Sequence, residues 1–215
     1  MKKYAKLCNL FIYRKERTYM IDFNIFLFND FETLDVFGPV EIIGKLNDVY
    51  KMKFFSLKGG IVTSRQKTEI VTKSYTEIDF SGILFVPGGQ GTRKLVNNED
   101  TILLLRKIAK SSLYCITVCT GTALLAKTGL LNGVKATSNK RAFEWVKSVN
   151  LEVHWVYKAR WVHDNKFYTS SGVSAGIDMI LGFVADKFSK EKAIEIAENI
   201  EYVWNDDPSE DIFAK

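Results

Sequence analysis

Histidine, cysteine and proline are the scarce residues of this 215-residue sequence, numbering two, three and three. Three cysteines (Cys8, Cys115 and Cys119) cannot build a disulfide framework, and their spacing fits no zinc motif. A secreted disulfide scaffold is therefore excluded, and a reducing, cytoplasmic setting is expected. No apolar run approaches the roughly 20 residues that a membrane-spanning helix needs. Internal repeats and low-complexity tracts are lacking, which excludes collagen-like and disordered chains. Net charge is also lacking over most of the chain. The formal +5 is carried entirely by residues 1–19, where six basic side chains face Glu16 alone. A neutral remainder offers no electrostatic footprint for nucleic acid.

What is present is an ordinary globular composition, 47% hydrophobic and 26% charged, which suits one α/β domain with a substantial core. Residues 20–215 are read as that domain. Residues 1–19 are read as an N-terminal extension, disordered or untranslated, because Met20 directly precedes the first convincing strand. The rival reading is a short basic arm touching a partner or membrane surface. Their apolar run is too short for a signal peptide, and no small-residue cleavage site follows it.

From Asp22 onward strands alternate with helices. Asp22–Phe28, Tyr50–Leu57, Ile83–Val86, Tyr114–Val118 and Val134–Ser138 read as strands, and Ile61–Lys73 as strands or a hairpin. Leu151–Val162 and Lys166–Thr169 read as a strand pair turning at Asp164-Asn165. Pro39 suits the first turn of a helix. Further helices are expected over Glu99–Lys110, Gly121–Lys127, Lys140–Val149, Ala175–Phe188 and Lys190–Trp204. Repeated strand–helix units imply a three-layer α/β sandwich, a mostly parallel sheet with helices on both faces. Sites in such sheets form beyond the strand C-termini, here Asn29–Asp35, Pro87–Gly91 and Cys119–Gly121.

Val118-Cys119-Thr120-Gly121-Thr122 carries the chemical content. A strand running straight into a helix holds the joining residue out on a sharp, strained bend, as in a nucleophile elbow. Here that residue is Cys119, and the positive end of the helix dipole is expected to favour its thiolate. The Thr120 amide and the Gly89 amide, in a loop that Gly88 and Gly89 leave unobstructed, would form an oxyanion-type pocket. Ser174 opens a later helix beside this place, as substrate donor or simple N-cap. Cys115, mid-strand, reads as core. Trp145, Trp155, Trp161 and Trp204 read as packing or dimer contact, since no basic groove interleaves them. Pro87–Gly91 lacks the lysine and hydroxyl of a phosphate loop.

Val118–Gly121 together with Leu124–Ala126 and Gly129–Gly133 resembles the cysteine elbow of the ThiJ/PfpI superfamily. Leu34–Pro39, Val86–Gly89 and Ser171–Asp178 match in the same order and spacing. The nearest resemblance is to the isonitrile hydratase branch, which is itself similar to the sensory domains of AraC-type regulators. The resemblance implies a flavodoxin-like fold, a homodimer and a small-molecule substrate or ligand, with no metal or organic cofactor and no membrane. It also implies that Asp35 faces the Cys119 sulfur as general acid or base. Glu32 is the alternative carboxylate, and helix capping is the alternative role for Asp35. The regulators' helix-turn-helix is not expected beyond Lys215.

One departure stands out. Where related branches set a histidine about twenty residues after the cysteine, this sequence has Thr137-Ser138-Asn139-Lys140. His154 and His163 read as exposed strand or turn residues, so a Cys–His triad and peptidase activity are not expected. Three readings remain: hydration of a small electrophile such as an isonitrile at Cys119, a ligand-sensing or regulatory domain, and a redox or stress protein that oxidises Cys119 to a sulfinate.

Overall fold

The computed structural model describes residues 20–215; the extension over residues 1–19 and Cys8 lie outside the described residues. Alternating or continuous apolar segments build the central strands β1 (Ile21–Phe26), β2 (Tyr50–Ser56), β5 (Ile83–Val86), β6 (Tyr114–Thr117) and β10 (Phe167–Ser170). All four residues of β5 are buried, as are all four of β10, the pattern of strands covered on both faces. With the hairpin β3 (Gly60–Thr63) and β4 (Glu69–Ser74) and with β9 (Trp161–Asp164), they form an eight-stranded sheet ordered β3-β4-β2-β1-β5-β6-β10-β9. Only the β3–β4 and β9–β10 pairings are antiparallel.

The five central parallel strands follow the flavodoxin order, with the order of strand addition reversing between β1 and β5. Helices cover both faces. α1 (Thr33–Gly44) packs on α6 (Ala175–Lys187), which packs on α7 (Lys190–Asn199). On the opposite side α4 (Gly121–Lys127) touches α2 (Thr92–Leu95), α3 (Glu99–Ser111) and α5 (Phe143–Val149). The core includes Phe23, Ile25 and Phe26 of β1, Ile42 and Ile43 of α1, and Met179, Phe183 and Val184 of α6.

Several element bounds depart from the sequence-based expectation, each for a local reason. α1 starts six residues before Pro39, because the Gln66 side chain accepts from both the amide and the hydroxyl of Thr33 and satisfies the helix start. Pro39 therefore lies inside the helix and has no N–H to give the Asp35 carbonyl one turn back. The expected fifth strand shrinks to β7 (Lys135–Ala136), which pairs with β8 (His154–Trp155) as a separate two-stranded ribbon. Most of Leu151–Arg160 is not strand. Its polar backbone is taken elsewhere: Lys140 Nζ donates to the Ala159 carbonyl, and the Arg160 amide donates to the Pro208 carbonyl.

The last helix ends at Asn199 rather than at Trp204. Glu201 turns to a left-handed φ of 53°, and the chain folds back onto Asp178. There Tyr202 Oη (3.0 Å) and the Asn205 amide (3.1 Å) donate to Asp178 Oδ1, while Trp204 Nε1 donates to the Asp178 carbonyl. Buried Arg160 donates through Nε to Asp178 Oδ2 at 2.7 Å and also faces Asp211 at 3.7 Å. This charge cluster fastens the C-terminal segment to α6, whose leading loop is part of the site described next.

Candidate functional site

Three loops at the C-terminal ends of β1, β5 and β6 converge on Cys119. The β1 and β5 loops are clamped by a bridge between Phe31 and Gly89 and by the Glu32 amide donating to the Gly88 carbonyl at 2.9 Å. That clamp sets the start of α1 and turns Asp35, in its first helical turn, inward. Gly89 has a φ of +129° and its backbone passes so close to Asp30 that a β-carbon would collide. Gly88 is the point of closest approach. A β-carbon there would lie 2.7 Å from Asp35 Oδ2, 2.7 Å from the Thr120 nitrogen and 2.8 Å from Cys119 Cβ.

Cys119 joins β6 to α4 with a left-handed φ of +56°, which costs a non-glycine residue roughly 1–2 kcal/mol. Neighbours hold the bend: its amide donates to the Ser171 carbonyl at 3.1 Å, and Ser138 Oγ donates to its carbonyl at 2.7 Å. The residue is 7% exposed. Val173 faces it from the loop before α6 and is itself in a left-handed conformation, φ 41°, uncommon for a β-branched residue.

Asp35 is fully buried, and its Oδ2 accepts from the Gly88 amide at 2.9 Å. Its Oδ1 has no hydrogen-bond partner among the described residues. Burial pushes the carboxyl up to about 7 and the charge of Glu32 adds to this, while the Gly88 amide, the Cys119 thiol and the Val173 amide oppose it. The thiol is also pushed up, first by burial and then by the Asp35 charge, against the Thr120 and Val173 amides and the Thr120 hydroxyl. The expected thiolate-favouring effect of the helix start is thus outweighed. Desolvation disfavours both anions, and the carboxylate next to the sulfur adds repulsion. Near neutral pH the pair therefore passes from two protons to one, and this titration belongs to the pair.

The other expected site residues are placed as follows. The Thr120 amide lies against the sulfur. The Gly89 amide does not: it donates to Thr120 Oγ1 at 3.0 Å, which also receives Thr92 Oγ1 at 3.1 Å. The Gly88 amide is taken by Asp35, so neither glycine amide of this loop is free. Ser174 precedes α6 without making a side-chain cap bond. Glu32 is tied to the Gln66 side chain and stands behind Asp35. Val173 and Ser171 lie in the family-like segment Ser171–Asp178 and Ser138 in the departing segment 137–140, but only the folded loops show that they touch the Cys119 thiol or backbone.

A model of the DJ-1/PfpI family matches residues 23–186. The chain belongs to the DJ-1/PfpI family. Among curated relatives, isonitrile hydratase of Pseudomonas putida is 27% identical over 188 residues, covering 82% of this chain and 76% of that protein. The HTH-type transcriptional regulator CdhR of Pseudomonas aeruginosa is 25% identical over 182 residues, and the alignment spans 54% of its length. A ThiJ/PfpI family protein from Pseudomonas syringae superposes with a TM-score of 0.78 at 26% identity, covering 87% of this chain and 77% of that one.

Within this DJ-1/PfpI chain the two histidines stand apart from the sulfur. His154 is exposed on β8. His163 stacks on Tyr168 at 3.9 Å between ring centres, with Nδ1 3.2 Å from Asp186. The segment 137–140 reaches the site through the Ser138 hydroxyl, while Lys140 Nζ donates to Thr137 Oγ1 (2.9 Å), the Ala159 carbonyl (2.6 Å) and the Ser138 carbonyl (3.4 Å).

Proposed function

We propose that this DJ-1/PfpI protein is a cysteine-dependent hydratase of a small electrophile, with an isonitrile as the substrate class and an N-substituted formamide as product. The observation that supports it is the fully buried Asp35 carboxyl, one oxygen unpartnered, beside the Cys119 thiol on its left-handed bend. A carboxyl near 7 can exchange a proton with a neighbouring sulfur and with substrate at neutral pH. The isonitrile hydratase relative supports the same substrate class.

In this mechanism Asp35 carboxylate takes the thiol proton as the sulfur adds to the terminal isonitrile carbon. Asp35 then returns that proton to the same carbon, leaving a thioimidate on Cys119. Asp35 carboxylate next draws a proton from water as the water oxygen adds to the carbon, and passes that proton to the nitrogen, leaving a hydroxyl on the carbon. Collapse breaks the carbon–sulfur bond, releases the formamide and restores one proton to the pair. The Thr120 and Val173 amides stabilise charge on the sulfur as it attacks and leaves. The test is turnover of a simple alkyl isonitrile by parent protein and the Cys119→Ala variant, with the formamide measured by chromatography. Equal rates in both would remove Cys119 from the reaction.

A ligand-sensing role is the second reading, supported by the similarity to regulators of which this chain spans about half. Thermal-shift screening separates the two, since a sensor binds its ligand without consuming it. A peroxide-sensing role is less well supported, because oxidation proceeds through a thiolate and burial holds this thiol well above its ordinary range.

A further inference from the structure

Beside the Cys119 centre, the loop before α6 and the segment before α5 line an open cavity of about 400 Å³, within the size range of small-molecule sites. Val173 belongs to both places: it lines the cavity, and its amide lies against the sulfur. Lys140, Arg141, Ser171, Ser174 and Phe213 form much of the remaining wall, and no aspartate or glutamate lines it.

The charge of this wall is one-sided. The three hydrogen bonds of Lys140 Nζ all go to neutral oxygens, those of Thr137, Ser138 and Ala159. The acid nearest in effect, Asp211, faces Arg160. Arg141 is exposed and has no ion-pair partner among the described residues. Ser171 is only 2% exposed, lines the cavity, and its hydroxyl has no protein partner among the described residues. With no protein partner and no place among the buried polar atoms, that hydroxyl opens onto the cavity, where it can donate to a ligand. Ser174, likewise without a cap bond, supplies a second hydroxyl.

We propose that this cavity binds a carboxylate, held by the Arg141 guanidinium and the Ser171 and Ser174 hydroxyls, and that the molecule reacting at Cys119 is accordingly a small organic acid. The assignment of a reacting substrate rests on the hydratase reading; the anion site itself does not. One planar guanidinium with two hydroxyl donors matches the two oxygens of a carboxylate.

The experiment has a binding arm and a turnover arm. In the first, pentanoate, pentanamide and inorganic phosphate are titrated into the parent chain, Arg141→Gln and Ser171→Ala by ligand-observed NMR. Arg141 is exposed and unpaired, so its replacement leaves the fold intact, which circular dichroism verifies. Pentanoate is expected to bind the parent at least tenfold more tightly than pentanamide or phosphate, and at least tenfold more weakly to Arg141→Gln. Pentanoate binding that ignores Arg141, or fails to exceed that of the amide or phosphate, overturns the carboxylate site.

In the turnover arm 5-isocyanopentanoate and its methyl ester are compared. The acid is expected to show a kcat/KM at least tenfold higher, with the advantage lost in Arg141→Gln. Arg141-dependent pentanoate binding without turnover of either isonitrile would sink the hydratase reading and leave the anion site standing. Equal turnover of acid and ester would overturn the assignment of an organic acid as the substrate at Cys119 and leave the hydratase reading standing.

Discussion

Replacing Asp35 by asparagine tests the proton shared beneath Gly88. The side chains are nearly the same shape, and an asparagine oxygen can still accept from the Gly88 amide, so the main change is loss of a titrating group. In the folded chain the Asp35 carboxyl is held up to about 7, against about 3.9 for an ordinary aspartate. Below both values the folded and unfolded chains bind the same proton, and the stabilising effect is fully present. As pH rises through the interval the unfolded chain ionises first, and the effect is lost as pH passes about 7. At about 1.4 kcal/mol per pH unit the whole interval amounts to at most about 4 kcal/mol, of which roughly 2–3 kcal/mol falls between pH 5 and pH 8. Urea unfolding of parent and Asp35→Asn at pH 5 and pH 8 measures it. The parent is expected to lose about 2–3 kcal/mol more than the variant across that range, and the variant to be the more stable of the two at pH 8 relative to pH 5. Parallel pH curves would refute the assignment of a protonated, buried Asp35.

Further consequences concern rate, packing and the C-terminal segment. With an isonitrile substrate, kcat/KM should rise with pH through about 7, as the pair passes from two protons to one, and a pH–rate profile of Asp35→Asn should lack that inflection. Gly88→Ala places a methyl 2.7 Å from the Asp35 carboxylate; overpacking of this kind costs about 1–3 kcal/mol, and a lowered melting temperature with loss of turnover is expected. Arg160→Met leaves buried Asp178 without its 2.7 Å partner, a loss of about 3–5 kcal/mol for a broken buried pair. Limited proteolysis should then cut beyond Asn199 in the variant well before it cuts the parent.

Much of the architecture was legible in the residues. The short apolar runs of β5 and β6 and the abrupt Cys119–Gly121 passage into α4 have one physical solution, a buried parallel strand and a tight turn. The hairpin at Ile61–Lys73 and the turn at Asp164-Asn165 followed from the same local chemistry. Local pattern failed where tertiary partners took over the backbone: at α1, where Gln66 satisfies a start well before Pro39; at 151–160, where Lys140 and Pro208 take the polar groups; and after Asn199, where Asp178 captures Tyr202, Trp204 and Asn205.

The nature of the site divides along the same line. The run of residues determined that a thiol would stand at a sharp bend between strand and helix, because a strand passing straight into a helix requires one. Its protonation depended on distant parts of the chain. The clamp between Phe31 and Gly89 drives Asp35 under Gly88, and the loop ending at Val173 closes over the sulfur, removing the water that would stabilise either anion. A helix dipole can be inferred from neighbours in sequence; desolvation is a property of everything packed around a group, and here it outweighs the dipole.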